Sequence, residues 1–154
     1  MKRALALMLA LAAMLFAFCA SAQEYEGEWA QVDGAFQVKI PVGWMEYELD
    51  QSMIENNVVY LAATEDGESF IQVLGVATEA PIAVDLLQES VAEDYVDAEV
   101  CVVGGFNAIS YTDEEENMMG LWIQSAANPC VYYLLQLYPL ELAADIAASI
   151  SPIQ

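Results

Sequence analysis

Asp113-Glu114-Glu115-Glu116-Asn117 sets four carboxylates and an amide on five consecutive positions, the densest supply of hard oxygen ligands in the chain. Ca²⁺ takes about six to eight such oxygens, so Asp113, Glu114, Glu115 and Glu116 form a candidate Ca²⁺ site. The spacing is not that of an EF-hand loop, which alternates its ligands and needs a central Gly. Contiguous acids on a turn point in several directions and stay solvated. The same run therefore also reads as a charged hairpin tip that resists aggregation. Glu65-Asp66-Gly67-Glu68 is a second, weaker acidic turn.

Cysteine offers a different chemistry. Of the three Cys, Cys19 lies in an apolar N-terminal segment, leaving Cys101 and Cys130. In an oxidising compartment an even pair invites a disulfide. Free Cys also packs like a small hydrophobe, so two buried thiols are the other reading. Sheet order decides between them. Were the last four strands a simple meander, Cys101 and Cys130 would stand roughly 14 Å apart, beyond disulfide reach.

Other chemistries are closed by residue type. The chain contains no His, which removes Ser-His-Asp and Cys-His nucleophilic sites and His-bearing zinc sites. No Gly-rich phosphate loop joins a strand to a helix with a Lys. Beyond Lys2 and Arg3 the only basic residue is Lys39, too little to neutralise charge in phosphoryl transfer. A carboxylate-pair hydrolase survives on residue type, since it needs only two carboxyls about 5–10 Å apart, one with a raised pKa. Nothing in the sequence selects such a pair.

Lys2 and Arg3, the apolar run Ala4–Phe18 and the small residues of Ala20-Ser21-Ala22 have the order of a secretory signal peptide cleaved after Ala22. Phe18 stands where a lipobox needs a small residue, so simple secretion is the expectation. Residues 1–22 are then a leader and 23–154 a single domain. The chain carries 24 acids and a formal net charge of -21, and losing the leader removes two of its three cations. Such a chain repels nucleic acid and anionic membrane surfaces. It leaves cations, proteins and neutral ligands as partners, and favours a soluble monomer.

The elements that must position these groups follow from periodicity and turn chemistry. Glu28–Val32 and Ala35–Ile40 flank Asp33-Gly34, a two-residue hairpin signal. Pro41-Val42-Gly43-Trp44 ends the second strand, and Trp44 is expected to cover the end of the core. Met45–Asn57 reads as a short strand and an irregular loop. Val58–Thr64 and Ser69–Thr78 form a second hairpin. Pro81 opens a helix with Val84, Leu87, Val91 and Tyr95 on one stripe. Ala98–Val103, Phe106–Thr112, Met118–Ala126 and Cys130–Tyr138 are strands separated by turn residues, the last apolar on both faces as a central strand would be. Leu140–Ile150 is a final helix with Leu142, Ile146 and Ile150 spaced four apart. Trp29 and Tyr25 are candidates for an exposed patch.

Three stretches are similar to the PsbP-like superfamily, which includes the photosystem II extrinsic protein PsbP, a Ran-binding protein and bacterial DcrB-type envelope proteins. Phe36–Trp44 resembles the family's strand and Pro-x-Gly-Trp turn. Gly104–Tyr111 resembles its mid-chain Gly turn, and Leu142–Pro152 its last helix and tail. The resemblance implies an α/β (α+β type) fold, an antiparallel sheet packed with helices as an α/β/α sandwich. It transfers no site residue, because the matched positions are turn and core. The expected protein is a secreted bacterial, non-enzymatic binding or accessory module, with no resident cofactor, for a protein or neutral ligand. The alternatives are an extracytoplasmic Ca²⁺-dependent module and a small carboxylate-pair hydrolase.

Overall fold

A computed structural model describes residues 25–153; residues 1–22, expected to be a leader, lie outside the described residues. The fold is mixed α/β, dominated by a large antiparallel sheet. In chain order the elements are β1 (Gly27–Val32), β2 (Phe36–Pro41), β3 (Met45–Glu46), α1 (Gln51–Glu55), β4 (Val58–Ala63), β5 (Phe70–Ala77), α2 (Val84–Ala92), β6 (Glu99–Val103), β7 (Phe106–Asp113), β8 (Met118–Gln124), β9 (Val131–Tyr138) and α3 (Leu140–Ser149). The hairpin β1–β2 stands apart from a seven-stranded sheet of order β3-β4-β5-β9-β8-β7-β6.

The first hairpin closes as its sequence dictates. Asp33 and Gly34 have φ of 48° and 66°, and two positive φ values make the turn whose twist matches that of paired strands. Phe36, Val38 and Ile40 alternate inward and are buried. Phe36 packs edge-on against Phe106 and Tyr133, with ring centroids 6.3 and 5.6 Å away. The Tyr133 hydroxyl donates to Asp33 Oδ2 at 2.9 Å, tying the turn to the centre of the large sheet. Trp44 packs at the edge of this core, as its position after the Pro-Gly turn implies.

The C-terminal helix covers the same face of the sheet. Ala143, Ile146, Ala147 and Ile150 are buried, spaced i, i+3, i+4 and i+7. This corrects the expected stripe at its first position, since Leu142 is exposed. The small residues Ala143 and Ala147 face inward instead and let α3 lie close to β8 and β9. Beyond the helix, Ser151 pairs with Gln37 of β2. The Lys39 backbone N–H donates to Ser149 Oγ at 2.9 Å. Tyr25 is packed rather than free, its hydroxyl donating to the Lys39 carbonyl, while Trp29 is exposed.

β9 lies fourth of seven strands, paired with β5 and β8, which accounts for its apolar residues on both faces. The last four strands form the meander β9-β8-β7-β6, and this decides the cysteines. Cys101 on β6 shares a cross-strand row with Ala108, Ile123 and Tyr133, and Cys130 precedes β9. Three strand spacings, roughly 14 Å, therefore separate the two. The possible Cys101–Cys130 disulfide is not formed, and both are free thiols. Burial pushes the Cys101 thiol pKa up, so it resists becoming a reactive thiolate.

Met45–Asn57 holds more structure than its sequence announces. Two residues of β3 pair with β4, and Asp50 caps α1 by accepting from the Met53 N–H at 2.8 Å. The helix of Pro81 begins three residues later, at Val84.

Gly104 and Gly105 form the β6–β7 turn with φ of 58° and 87°. A Cβ on Gly104 would overlap the Ile150 carbonyl, whereas one on Gly105 would meet nothing. Gly105→Ala should therefore cost only the left-handed backbone penalty of about 1–2 kcal/mol. Gly104→Ala should add displacement of the α3 tail and exceed about 3 kcal/mol. Urea unfolding of both variants checks this; equal losses would show that the α3 tail does not press on the turn.

Candidate functional site

The hairpin and α3 cover one face of the seven-stranded sheet. The other face is assembled by register. One row runs Leu61, Gln72, Gln136, Gly120 and Tyr111 across β4, β5, β9, β8 and β7. A second runs Leu74, Leu134, Trp122, Ile109 and Val100 from β5 to β6. On one side lies the row Ala63, Phe70 and Tyr138; on the other, Val76, Tyr132 and Gln124. None of these side chains is charged; the Phe70–Tyr138 row meets a carboxylate only where its register runs on through Met118 to Asp113 on β7.

α2 covers only part of this face. Leu87 and Val91, with Tyr95 just beyond the helix, pack on Ile109, Tyr111, Trp122 and Leu134. Val84, on the same predicted stripe, is exposed at the helix start. Tyr111 lies flat over Gly120, where a Cβ would overlap its ring, and stacks on Tyr95 with centroids 4.0 Å apart. Burial, the neighbouring Tyr95 phenol and the Asp113 charge push the Tyr111 hydroxyl up to about 12. Beyond this stack, Leu61, Phe70, Gln72, Leu74, Gln136 and Tyr138 are half-buried. Phe70 and Tyr138 stack on each other at 5.5 Å with an interplanar angle of 16°. The Gln72 and Gln136 amides stand opposite each other on adjacent strands, and neither makes a side-chain hydrogen bond among the described residues.

Where α2 meets the sheet, a shallow cleft of about 20 Å³, room for about one water, is lined by Ile82, Val84, Leu87, Trp122, Gln124 and Tyr132, among others. The Tyr132 hydroxyl at its floor accepts from the Ile82 N–H at 2.7 Å and so fixes the segment entering α2. Trp122 borders both the cleft and the open face.

Apart from Asp113 at the end of β7, the acids lie off this face's central rows. Every Asp and Glu among the described residues is at least partly exposed. No carboxyl among them sits in the enclosed apolar setting that raises a general acid's pKa. Glu114, Glu115 and Glu116 are exposed on the β7–β8 turn, and Asp113 Oδ1 accepts from the Glu116 N–H at 3.1 Å. Asp113 thus stabilises its own turn. Among the described residues no group of three or more Asp, Glu, His or Cys is arranged to hold a metal ion. Asp66 is likewise used locally: the Thr64 hydroxyl and the Glu68 N–H donate to it and hold its carboxyl below the usual range. The β4–β5 and β7–β8 turns flank the Phe70–Tyr138 stack at one end of the sheet.

Sequence reasoning missed the neutral face. Its signal was the uncharged alternate residue along β5, β8 and β9, visible in Phe70-Ile-Gln-Val-Leu74 and Leu134-Leu-Gln-Leu-Tyr138 once the strands are aligned. Among the described residues no helix is long and apolar enough to cross a membrane. No protein-family model matches the chain, and no curated protein does either.

The buried phenols set an alkaline limit. Tyr133, through burial and its bond to Asp33, is also pushed up to about 12. A folded pKa above the unfolded one makes stability full below pH 10 and lost as pH rises from 10 towards 12. The urea midpoint should fall across that window, and Tyr111→Phe should flatten the fall. A midpoint unchanged from pH 9 to 11.5 would contradict the burial of these hydroxyls.

Proposed function

We propose that this protein is a secreted, non-enzymatic binding module of PsbP-like, α/β/α type, and that the charge-free half of its sheet is the binding surface. The observation that carries this reading is where charge is missing. A chain with 24 acids leaves every position of the rows through Gln72–Gln136 and Leu134–Trp122 uncharged. Acids suit an exposed sheet face unless something uncharged must rest there, because exposed apolar area without a partner invites aggregation. The half-buried side chains of this face provide an area on which a ligand can rest.

The family reading is supported by the meeting of its three sequence stretches. Gln37 pairs with Ser151, Ile150 presses on Gly104, and Phe36 packs on Phe106. Those contacts join the strand, the Gly turn and the tail into one unit. In this reading the Asp113–Glu116 and Glu65–Glu68 turns form a solubilising rim, and the protein works as a monomer.

Nile red, an uncharged dye that brightens in apolar surroundings, tests the surface. The folded protein should bind it, and Gln72→Glu with Gln136→Glu should weaken that binding at least fivefold by adding charge without changing shape. A folded protein that ignores the dye, or a double variant that binds it equally, would overturn the assignment of this face.

A further inference from the structure

The centre of the open face carries hydrogen-bonding groups and its margins are apolar, which is the reverse of a protein–protein interface. Interfaces between proteins place an apolar core inside a polar rim. Here the paired amides of Gln72 and Gln136 occupy the middle, unpartnered among the described residues. On one side, two residues along the strands, lie Leu74, Leu134 and Trp122. On the other are Phe70 and Tyr138, half-buried and stacked on each other. The two apolar margins are about 13 Å apart, four residues at the strand rise.

Covering two amides with an apolar protein surface would strip their water without return, at a cost in binding. A ligand that combines hydroxyls with apolar C–H faces suits both parts. Each amide offers donors and an acceptor, and hydroxyls take either role. The C–H faces of sugar rings can lie on Trp122 and on the surface that the Phe70–Tyr138 pair leaves uncovered. Charge narrows the class further. The face has no cation, and the acidic turns flank one end of it, so carboxylated, sulfated or phosphorylated chains are repelled. Lys39, the one Lys or Arg among the described residues, lies on β2, which packs on the opposite face.

We propose, building on the surface assigned above, that this face binds an uncharged polysaccharide chain. The central Gln72–Gln136 pair reads its hydroxyls, and Trp122 and the Phe70–Tyr138 stack carry its rings. No bond is made or broken; the role is adhesion.

Native electrophoresis in gels containing hydroxyethyl cellulose, dextran, soluble starch, galactomannan or arabinoxylan tests it, with polygalacturonate as the anionic comparison. At least one neutral polymer should retard the protein, and polygalacturonate should not. Trp122→Ala and Gln136→Ala should each weaken the retardation at least fivefold, while Trp29→Ala, at an exposed site on β1, should leave it unchanged. Gln136→Ala keeps the test valid should Trp122→Ala fail to fold. Absence of retardation by every neutral polymer would overturn the proposal, as would retardation that survives Gln136→Ala or is matched by polygalacturonate. Loss of retardation with Nile red binding intact would strike the polysaccharide alone. Loss of both would remove the surface assignment as well.

Discussion

The scarcity of cations governs this structure. Lys39 is the one Lys or Arg among the described residues, and its ammonium lies 5.4 Å from the centre of the Tyr25 ring. Carboxylates must therefore find other donors, or water. Asp33 accepts from Tyr133, Glu46 from Tyr60 and Asp97 from Thr112, while Asp50 and Asp113 accept from backbone N–H groups. Burying an unpaired carboxylate costs several kcal/mol, so acids are confined to turns, exposed helix positions and edges. On the central strands β5, β9 and β8 both sheet faces are left to apolar, aromatic and amide side chains, and the strand acids Glu46, Glu99 and Asp113 lie on β3, β6 and β7.

That confinement gives the sheet two unequal sides. One is closed by the β1–β2 hairpin and α3, fastened through Asp33, Ser149 and Ser151. The other is covered by α2 near β6 and β7 and is open near β5 and β9. The buried side supplies stability through Ile71, Val73, Leu121, Leu135 and Leu137, all fully inaccessible. Residues between them on the same strands face the open side. One set of strands thus serves the core with odd-numbered side chains on β5, β8 and β9, and the opposite face, the proposed binding surface, with even-numbered ones. Function in this reading is a by-product of neither loops nor charge but of strand alternation.

Much of the architecture was legible because its signals are local. Asp33-Gly34 and Gly104-Gly105 demand positive φ, and the alternation in Phe36–Ile40 is that of a half-buried strand. Leu142 misled because spacing by four drifts off a helix's buried stripe, which Ala143 and Ala147 occupy. The α1 turn carries no apolar face and so left no periodic trace; its residues are mostly exposed. The candidate site was hidden for a different reason. Gln72 and Gln136 are far apart in sequence and meet only through the β5–β9 pairing, which no local pattern specifies. The acidic runs drew attention because they are contiguous, yet contiguity on a turn spreads side chains rather than converging them. The cysteines were decided by strand order alone.

The central claim is that the Gln72–Gln136 face is open as well as uncharged. NMR relaxation of side-chain protons by a neutral gadolinium chelate measures this directly, since an uncharged probe is not biased by the acidic surface. The Gln72 and Gln136 amide protons and the Trp122 indole should relax strongly, while Leu135 and Leu137 methyls on the covered face should not. Protection of both Gln side chains to the level of the core would mean that the face is covered, and would contradict the account.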